Sequence, residues 1–367
     1  MSNRGKRHNL EYRKEKFDKR TFYNGRSLLG NYWARIFALI GGRQTGKSYW
    51  VMDFFLYHFF KSGKKDNFIW LRLSDTSAKK LLKNNAFDLV DPDLKRKYKL
   101  DLVTKGDNVF YRERIKDDKG KIKVVDTLLC RVLSLSGMHN DKGIGFYDKD
   151  REGNYHICLD EMNRERNERN TFDISYNFVN QIENLLRDAH NDEKHKVRVF
   201  LIGNTLQEAS DLMTCFNFLP EKFGRYKIRK KELVVEYLPN SKAYKKMRKN
   251  ALANVMLGED ESTFTNKVEF DLKLVCKNKL IKPYSIIKFS NNKKEWFTVW
   301  NDNIIDFYNN EQKESHYAMT KYLIDERYDP EKVKKVIKYY DLRYFKFHTL
   351  MCQRQFKRLL ELLKVKW

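Results

Sequence analysis

Apolar side chains along this chain fall into two kinds of run. Four are short and nearly unbroken: 36-IFALI-40, 68-FIWLRL-73, 155-YHICLD-160 and 197-VRVFLIGNT-205. Runs of that length and composition read as strands buried on both faces, and so as a mainly parallel sheet covered by helices. Between them, apolar positions recur at helical spacing over 47-KSYWVMDFFLYHFFKSG-63, which closes at Gly63, and over 77-SAKKLLKNNAF-87. A third helical stripe, Phe178, Ile182, Leu185 and Leu186, runs through residues 172–196. Residues 108–115 and 121–135 alternate apolar with polar around Asp117-Asp118-Lys119-Gly120, which predicts an antiparallel hairpin decorating the sheet.

Past Gly224 the pattern changes. Residues 225–250 read as a strand followed by a very basic, helical stretch, a linker module rather than core. Strands at 267–276, 284–290, 295–300 and 303–308 follow, then helices near 330–340 and 342–365, which together make a small α+β domain. A chain of 367 residues exceeds the usual single domain. The expected organisation is a large α/β domain over 1–224, a basic linker over 225–255 and the α+β domain over 256–367. No internal repeat or low-complexity segment interrupts it.

The turn between the first strand and the first helix carries the clearest chemistry. Gly41, Gly42, Arg43, Gln44, Thr45, Gly46, Lys47 and Ser48 fit GxxxxGK[ST] between a strand and a helix, with Tyr49 next in line. In that setting the backbone amides and the helix N-terminus wrap the phosphates of ATP. Lys47 would hold the β- and γ-phosphates, and the Ser48 hydroxyl would bind Mg²⁺. The bland alternative is an idle glycine-rich turn.

The strand 155–160 ends in two adjacent carboxylates. Asp160 suits the metal, and Glu161 suits a base that polarises the attacking water, which a hydrolase needs and a kinase does not. Asn204, at the tip of the strand 197–205, is a candidate to touch the γ-phosphate or the water; a plain strand cap is the alternative. Arg187 ends the apolar stripe of its helix. It could reach a neighbouring subunit's γ-phosphate, or it could simply complement the helix dipole.

Charge narrows the partners. The chain has 74 Lys+Arg against 49 Asp+Glu, a net charge of +25. A surplus that large points to a polyanion, with nucleic acid ahead of a membrane surface. It concentrates in residues 1–20, 221–250 and 331–367, each of which could equally be a solvated face. The aromatic and hydrophobic content, 14% and 41%, is that of a folded protein. Five cysteines stand far apart, with no CxxC pair and no histidine cluster at metal-ligand spacing, which predicts reduced, mostly core thiols in a cytoplasmic protein. No apolar run reaches signal-peptide or membrane-span length, so neither secretion nor membrane insertion is expected.

Taken together, 36-IFALIGGRQTGKSYW-50, 68-FIWLRL-73, 102-LVTKGDNVFY-111, 157-ICLDEMNR-164 and 185-LLRDAHNDEKHKVRVFLIGNT-205 resemble the DNA-packaging ATPases of small short-tailed bacteriophages. Arg43 within the phosphate loop also resembles large terminases. The resemblance covers most of residues 20–225. It implies a P-loop, RecA-like ATPase with an additional strand and a catalytic glutamate, followed by a ribonuclease-H-like domain whose nuclease site is often eroded.

By position, the resemblance makes Lys47 and Ser48 the phosphate loop, Asp160 the magnesium aspartate and Glu161 the catalytic glutamate. It makes Arg187 an arginine acting on the neighbouring subunit and Asn204 the end of the corresponding strand. It also implies a ring, generally a pentamer, at the portal of a procapsid in the host cytoplasm, with double-stranded DNA in its pore and in some members a structural packaging RNA. The loop 137–154 takes the place of a DNA-gripping loop, with Lys142 as its cation against phosphate. Lys105 and Arg72 are weaker candidates, for the pore and for the active site. Asp271, Asp302 and Asp306 are the acids available to a nuclease, but their spacing gives no convincing cluster. The rival readings are a helicase-type or terminase-type translocase with an active nuclease, and an ATP-gated scaffold that does not move along nucleic acid.

Overall fold

A computed structural model describes residues 10–13, 22–42, 45–116, 121–137, 145–146, 150, 152–163, 172–187, 189, 194–204, 211–216, 218–220, 223–239, 283–288, 295–300, 304–309, 346–347 and the isolated positions 331, 334, 337, 338 and 356. The chain divides into two compact units, Met1–Leu212 with Pro220–Val268, and Met213–Leu219 with Glu269–Trp367.

The first unit is built on one sheet. Its strands are β1 (Leu10–Arg13), β2 (Ile36–Ile40), β3 (Phe68–Arg72), β4 (Leu102–Lys105), β5 (Asn108–Lys116), β6 (Ile122–Ser134), β7 (Tyr155–Asp160), β8 (Val197–Gly203), β9 (Gly224–Ile228) and β10 (Leu233–Tyr237). Their order is β1-β9-β10-β2-β8-β7-β3-β6-β5-β4. From β10 through β6 every neighbouring pair is parallel, and antiparallel strands close both edges. The four unbroken apolar runs are the central strands, with almost every residue of β2, β3, β7 and β8 buried. That is the pattern of a parallel sheet covered on both faces.

Helices α1 (Lys47–Lys61), α2 (Asp75–Ala86), α3 (Pro92–Tyr98) and α4 (Ile174–Leu186) accompany the sheet. The inner face of α1 is aromatic. Phe55 packs on Phe68 at 4.9 Å and Phe200 at 5.6 Å, and Trp50 stacks on Phe54 at 5.7 Å. α4 begins where the Asp173 carboxylate accepts from the Tyr176 N–H at 2.9 Å. It stops at Leu186, and Arg187, expected from the sequence at the end of this helix, is its C-cap and turns to φ +41°.

Three expectations change. The hairpin 108–135 is more than decoration: Cys130–Ser134 of β6 pairs in parallel with β3, and Leu129, Cys130, Val132 and Leu133 are buried. Only the outer half of the hairpin stands clear of the core. The segment read as the start of a linker supplies β9 and β10, and β10 lies parallel to β2 with all five residues buried. The sheet therefore continues past the boundary drawn at 224. Residues 22–34, given no element from sequence, form a strap whose short 3-10 turn Arg26–Gly30 buries Leu28 completely.

In the second unit, β11 (Pro283–Lys288), β12 (Glu295–Trp300) and β13 (Ile304–Asn309) form an antiparallel meander, and β14 (Lys346–Phe347) joins β13 in parallel. The expected strand 267–276, Asp271 and Asp302 lie outside the described residues, while Asp306 stands opposite Thr298. No helix among the described residues is long and apolar enough to cross a membrane. Cys130 and Cys158 are buried free thiols and Cys215 is exposed.

Candidate functional site

The site forms at the carboxyl ends of the parallel strands, where the strand order puts β8 between β2 and β7. One strand thus separates the strand before the loop from the strand that carries the carboxylates, the additional-strand order that the resemblance implies. β2 gives way to the loop 41–46 and then to α1. Gly41 has to be glycine because a Cβ there would stand 2.9 Å from the Leu238 Cβ, where the chain leaving β10 crosses the loop. Gly46 sits at φ +95° with Phe22 and Tyr23 close behind, and the Tyr23 N–H donates to the Thr45 carbonyl at 2.9 Å. The strap 22–25 thus backs the loop. Gly46 is also the N-cap of α1 and offers no side chain, so the first amides of the helix remain available to an anion.

Lys47 is folded into this loop. Its ammonium donates to the carbonyls of Gly41 at 2.9 Å and Gly42 at 2.7 Å and to the Thr45 hydroxyl at 3.1 Å. Only 4% of the residue is exposed, and burial pushes its pKa down to about 7, with Asp160 pulling the other way.

β7 delivers the carboxylates. The Ser48 hydroxyl donates to Asp160 Oδ1 at 3.0 Å, so the helix start and the end of β7 meet directly. Arg72, at the tip of β3, donates to Asp160 Oδ2 at 2.8 Å and to Glu161 Oε2 at 2.6 Å. One guanidinium therefore bridges both acids. Arg72 is only a weak candidate from sequence, because nothing local reveals that β3 and β7 are neighbours. Glu161 lies in the left-handed region at φ +62°, uncommon for a non-glycine residue. The next residue is anchored: the Met162 N–H donates to the Ile202 carbonyl at 2.8 Å.

Asn204 follows β8 directly. The preceding carbonyl, that of Gly203, accepts from the Gly41 N–H at 3.1 Å, which sets Asn204 one residue from the loop. Tyr49 faces outward at 41% exposure. Arg43, Gln44 and Lys142 lie outside the described residues.

Two sequence candidates lie elsewhere. Lys105 ends β4 on the far edge of the sheet, where it and Arg112 share the Asp126 carboxylate. Arg187 caps α4 beside a cleft of about 600 Å³ lined by Ile36, Val197 and Glu232. Those residues are at or near the starts of β2, β8 and β10, so Arg187 belongs to the opposite end of the sheet from Lys47 and Asp160. The length of β2 alone separates the two ends by about 13 Å. The returning segment of the loop 137–154 lies against the same helix end. The Phe146 N–H donates to the Leu185 carbonyl at 2.9 Å, and a Cβ on Gly145 would lie 3.5 Å from the Arg187 guanidinium carbon.

No family model and no curated protein matches the chain. Among solved structures it is similar to the Phi-28 gp11 DNA packaging motor, with a TM-score of 0.57 and 16% identity over 94% of this chain and 99% of that one. It is similar also to the large terminase of a thermophilic bacteriophage in complex with ADP, at a TM-score of 0.33 and 11% identity, covering 92% of this chain and 90% of the terminase. The first likeness shows a shared fold. The resemblance to phage packaging ATPases read from the motifs is met in the three-dimensional architecture.

Proposed function

We propose that this chain is the ATPase of a viral genome-packaging motor, which works as a ring oligomer to drive double-stranded DNA into a preformed procapsid. The observation that carries the reading is the meeting of Ser48, Asp160, Glu161 and Arg72 beside the buried Lys47, across one additional strand. The +25 net charge supports a polyanionic partner.

The phosphate loop and the first amides of α1 bind the triphosphate, and Lys47 exchanges its carbonyl partners for phosphate oxygens. Ser48 and Asp160 present only oxygen donors at the helix start, a fit for Mg²⁺. When bound, that ion neutralises charge on the β- and γ-phosphates. Glu161 takes a proton from water as the water oxygen bonds to the γ-phosphorus. The bond from that phosphorus to the bridging oxygen breaks, and ADP departs with the electron pair. For Glu161 to act, Arg72 must give up its contact with that carboxylate. Asn204 senses the γ-phosphate. Arg187, remote from its own loop, acts on the neighbour's site in a ring read as a pentamer. Lys142 and Lys105 are the proposed DNA contacts, Lys105 after release from Asp126. The carboxy-terminal unit is read as a ribonuclease-H-like module for docking to nucleic acid or to the portal, on the strength of its mixed four-stranded sheet.

The depressed pKa of Lys47 gives the loop a proton signature. Above about pH 7 the free protein holds this amine largely neutral. Phosphate oxygens favour the ammonium, so ATP binding near pH 8 takes up close to one proton, and binding near pH 6 takes up almost none. Calorimetry in buffers of different ionisation enthalpy measures this uptake, and Lys47→Met abolishes it. Uptake that does not change with pH removes Lys47 from the phosphate site.

The motor itself is tested by pulling on single tethered DNA molecules with the protein assembled on procapsids. Processive, ATP-dependent shortening is expected. ATP-dependent binding without displacement identifies a scaffold instead.

A further inference from the structure

Three residues far apart in sequence come together at the end of the first unit opposite the loop 41–46. His58 lies in the last turn of α1, Asp66 two residues before β3, and His156 second in β7. His58 Nδ1 is 3.7 Å from Asp66 Oδ2, His156 Nε2 is 3.5 Å from the same oxygen, and one ligand atom from each residue lies within 4.8 Å of the other two. These distances exceed those of an N–H···O hydrogen bond, about 2.7–3.2 Å. They are close to the spacing between neighbouring ligands of a tetrahedral zinc ion, roughly 3.3–3.6 Å for bonds of 2.0–2.2 Å.

His156 is fully buried, and neither of its ring nitrogens has a hydrogen-bond partner among the described residues. A buried imidazole left without partners is costly. A metal bond would satisfy one nitrogen.

The surroundings are built to hold Asp66 still. Its Oδ1 accepts from the Asn154 backbone N–H at 2.7 Å and its Oδ2 from Asn154 Nδ2 at 3.0 Å, while the Asp66 N–H donates to the Ser62 hydroxyl at 2.9 Å. Such outer contacts orient a ligating carboxylate. Phe54 and Phe55 wall the histidines, with ring centroids 4.4 Å from His58 and 5.4 Å from His156. Gly153 closes the site, since any side chain there would strike the Lys65 carbonyl and Asp66. Burial pushes His156 down to about 4, so it is neutral near pH 7. Burial opposes ionisation of Asp66, while the hydrogen bonds it accepts from Asn154 favour it. Arg198, over the Phe54 ring at 5.6 Å, is the opposing cation nearby.

We propose that His58, Asp66 and His156 bind one zinc-like divalent ion as a clamp between the end of α1 and the start of β7. Two imidazoles and a carboxylate suit Zn²⁺ rather than Mg²⁺, which prefers oxygen ligands and keeps its waters. The His58 side chain, 23% exposed, leaves a path for water as a fourth ligand. The clamp would join the two elements whose other ends carry Ser48 and Asp160.

The test uses the full chain, stripped with chelator and titrated with Co²⁺ in excess Mg²⁺, which occupies the oxygen site. The expected result is about one tightly held Co²⁺ per chain, with the visible bands of a tetrahedral ion that Zn²⁺ bleaches. His58→Gln and Asp66→Asn should each weaken uptake by more than the roughly 10–100-fold that loss of an outer-shell partner costs. No stoichiometric uptake, or uptake unchanged in both variants, overturns the proposal. Should the variants fail to fold, X-ray absorption on the zinc-treated wild-type chain decides. Two imidazole ligands support the site; oxygen ligands alone, or no retained zinc, refute it.

Discussion

Replacing Glu161 by Gln cuts steady-state ATP turnover by about 10²–10⁴-fold, the contribution of a positioned general base, while ATP binding survives. The substitution is nearly isosteric. Gln keeps an oxygen that can accept from Arg72, which in the native chain donates to Glu161 Oε2 at 2.6 Å, so the turn at φ +62° keeps its tether. What it removes is the capacity to accept a proton from water. Turnover is read from phosphate release in the presence of duplex DNA, and binding from a fluorescent ATP analogue. A variant that hydrolyses near the native rate would take the base assignment away from Glu161. A variant that also fails to bind would point to damage in the loop.

Arg187→Ala should be at least as severe, because an arginine completing a neighbour's site contributes about 10³–10⁵-fold to phosphoryl transfer. On the proposed reading, Arg187 can act only on a neighbour's site. Arg187 caps α4 beside the starts of the strands, whereas Lys47, Asp160 and Glu161 gather at their carboxyl ends. Mixing separates this role from a structural one. Arg187→Ala subunits keep Glu161, and Glu161→Gln subunits keep Arg187. In a mixed head-to-tail ring, roughly a quarter of the interfaces at equal ratio recover both groups. Turnover should therefore rise above that of either pure variant. If no ratio restores activity, Arg187 does not work across an interface.

Much of this site could be read from the sequence because its parts are local. The loop 41–48 is one continuous signature between an apolar strand and an amphipathic helix. Asp160 and Glu161 end an apolar run, and the pattern alone marks β2, β3, β7 and β8 as buried. What escaped depends on which strands become neighbours. Arg72 meets Asp160 and Glu161 only because β3 pairs with β7, and β10 enters the sheet only because it finds β2, almost 200 residues earlier. Alternating or apolar patterns say that a strand is buried, not against what. The clustering of His58, Asp66 and His156 was hidden for the same reason. α3 is a different case. Asp91 followed by Pro92 is a helix-start signal written in the chain, and Asp91 does cap the helix through the Asp93 N–H at 2.8 Å.

The hydrogen bond from Phe146 to Leu185 has a mechanical corollary. It fastens the return of the loop 137–154 to the very turn of α4 that ends in Arg187. If that loop holds the polymer, a tug on it reaches the arginine within two residues, without passing through the sheet. On the proposed roles, the polymer's grip and the neighbour's arginine would share one helix tip.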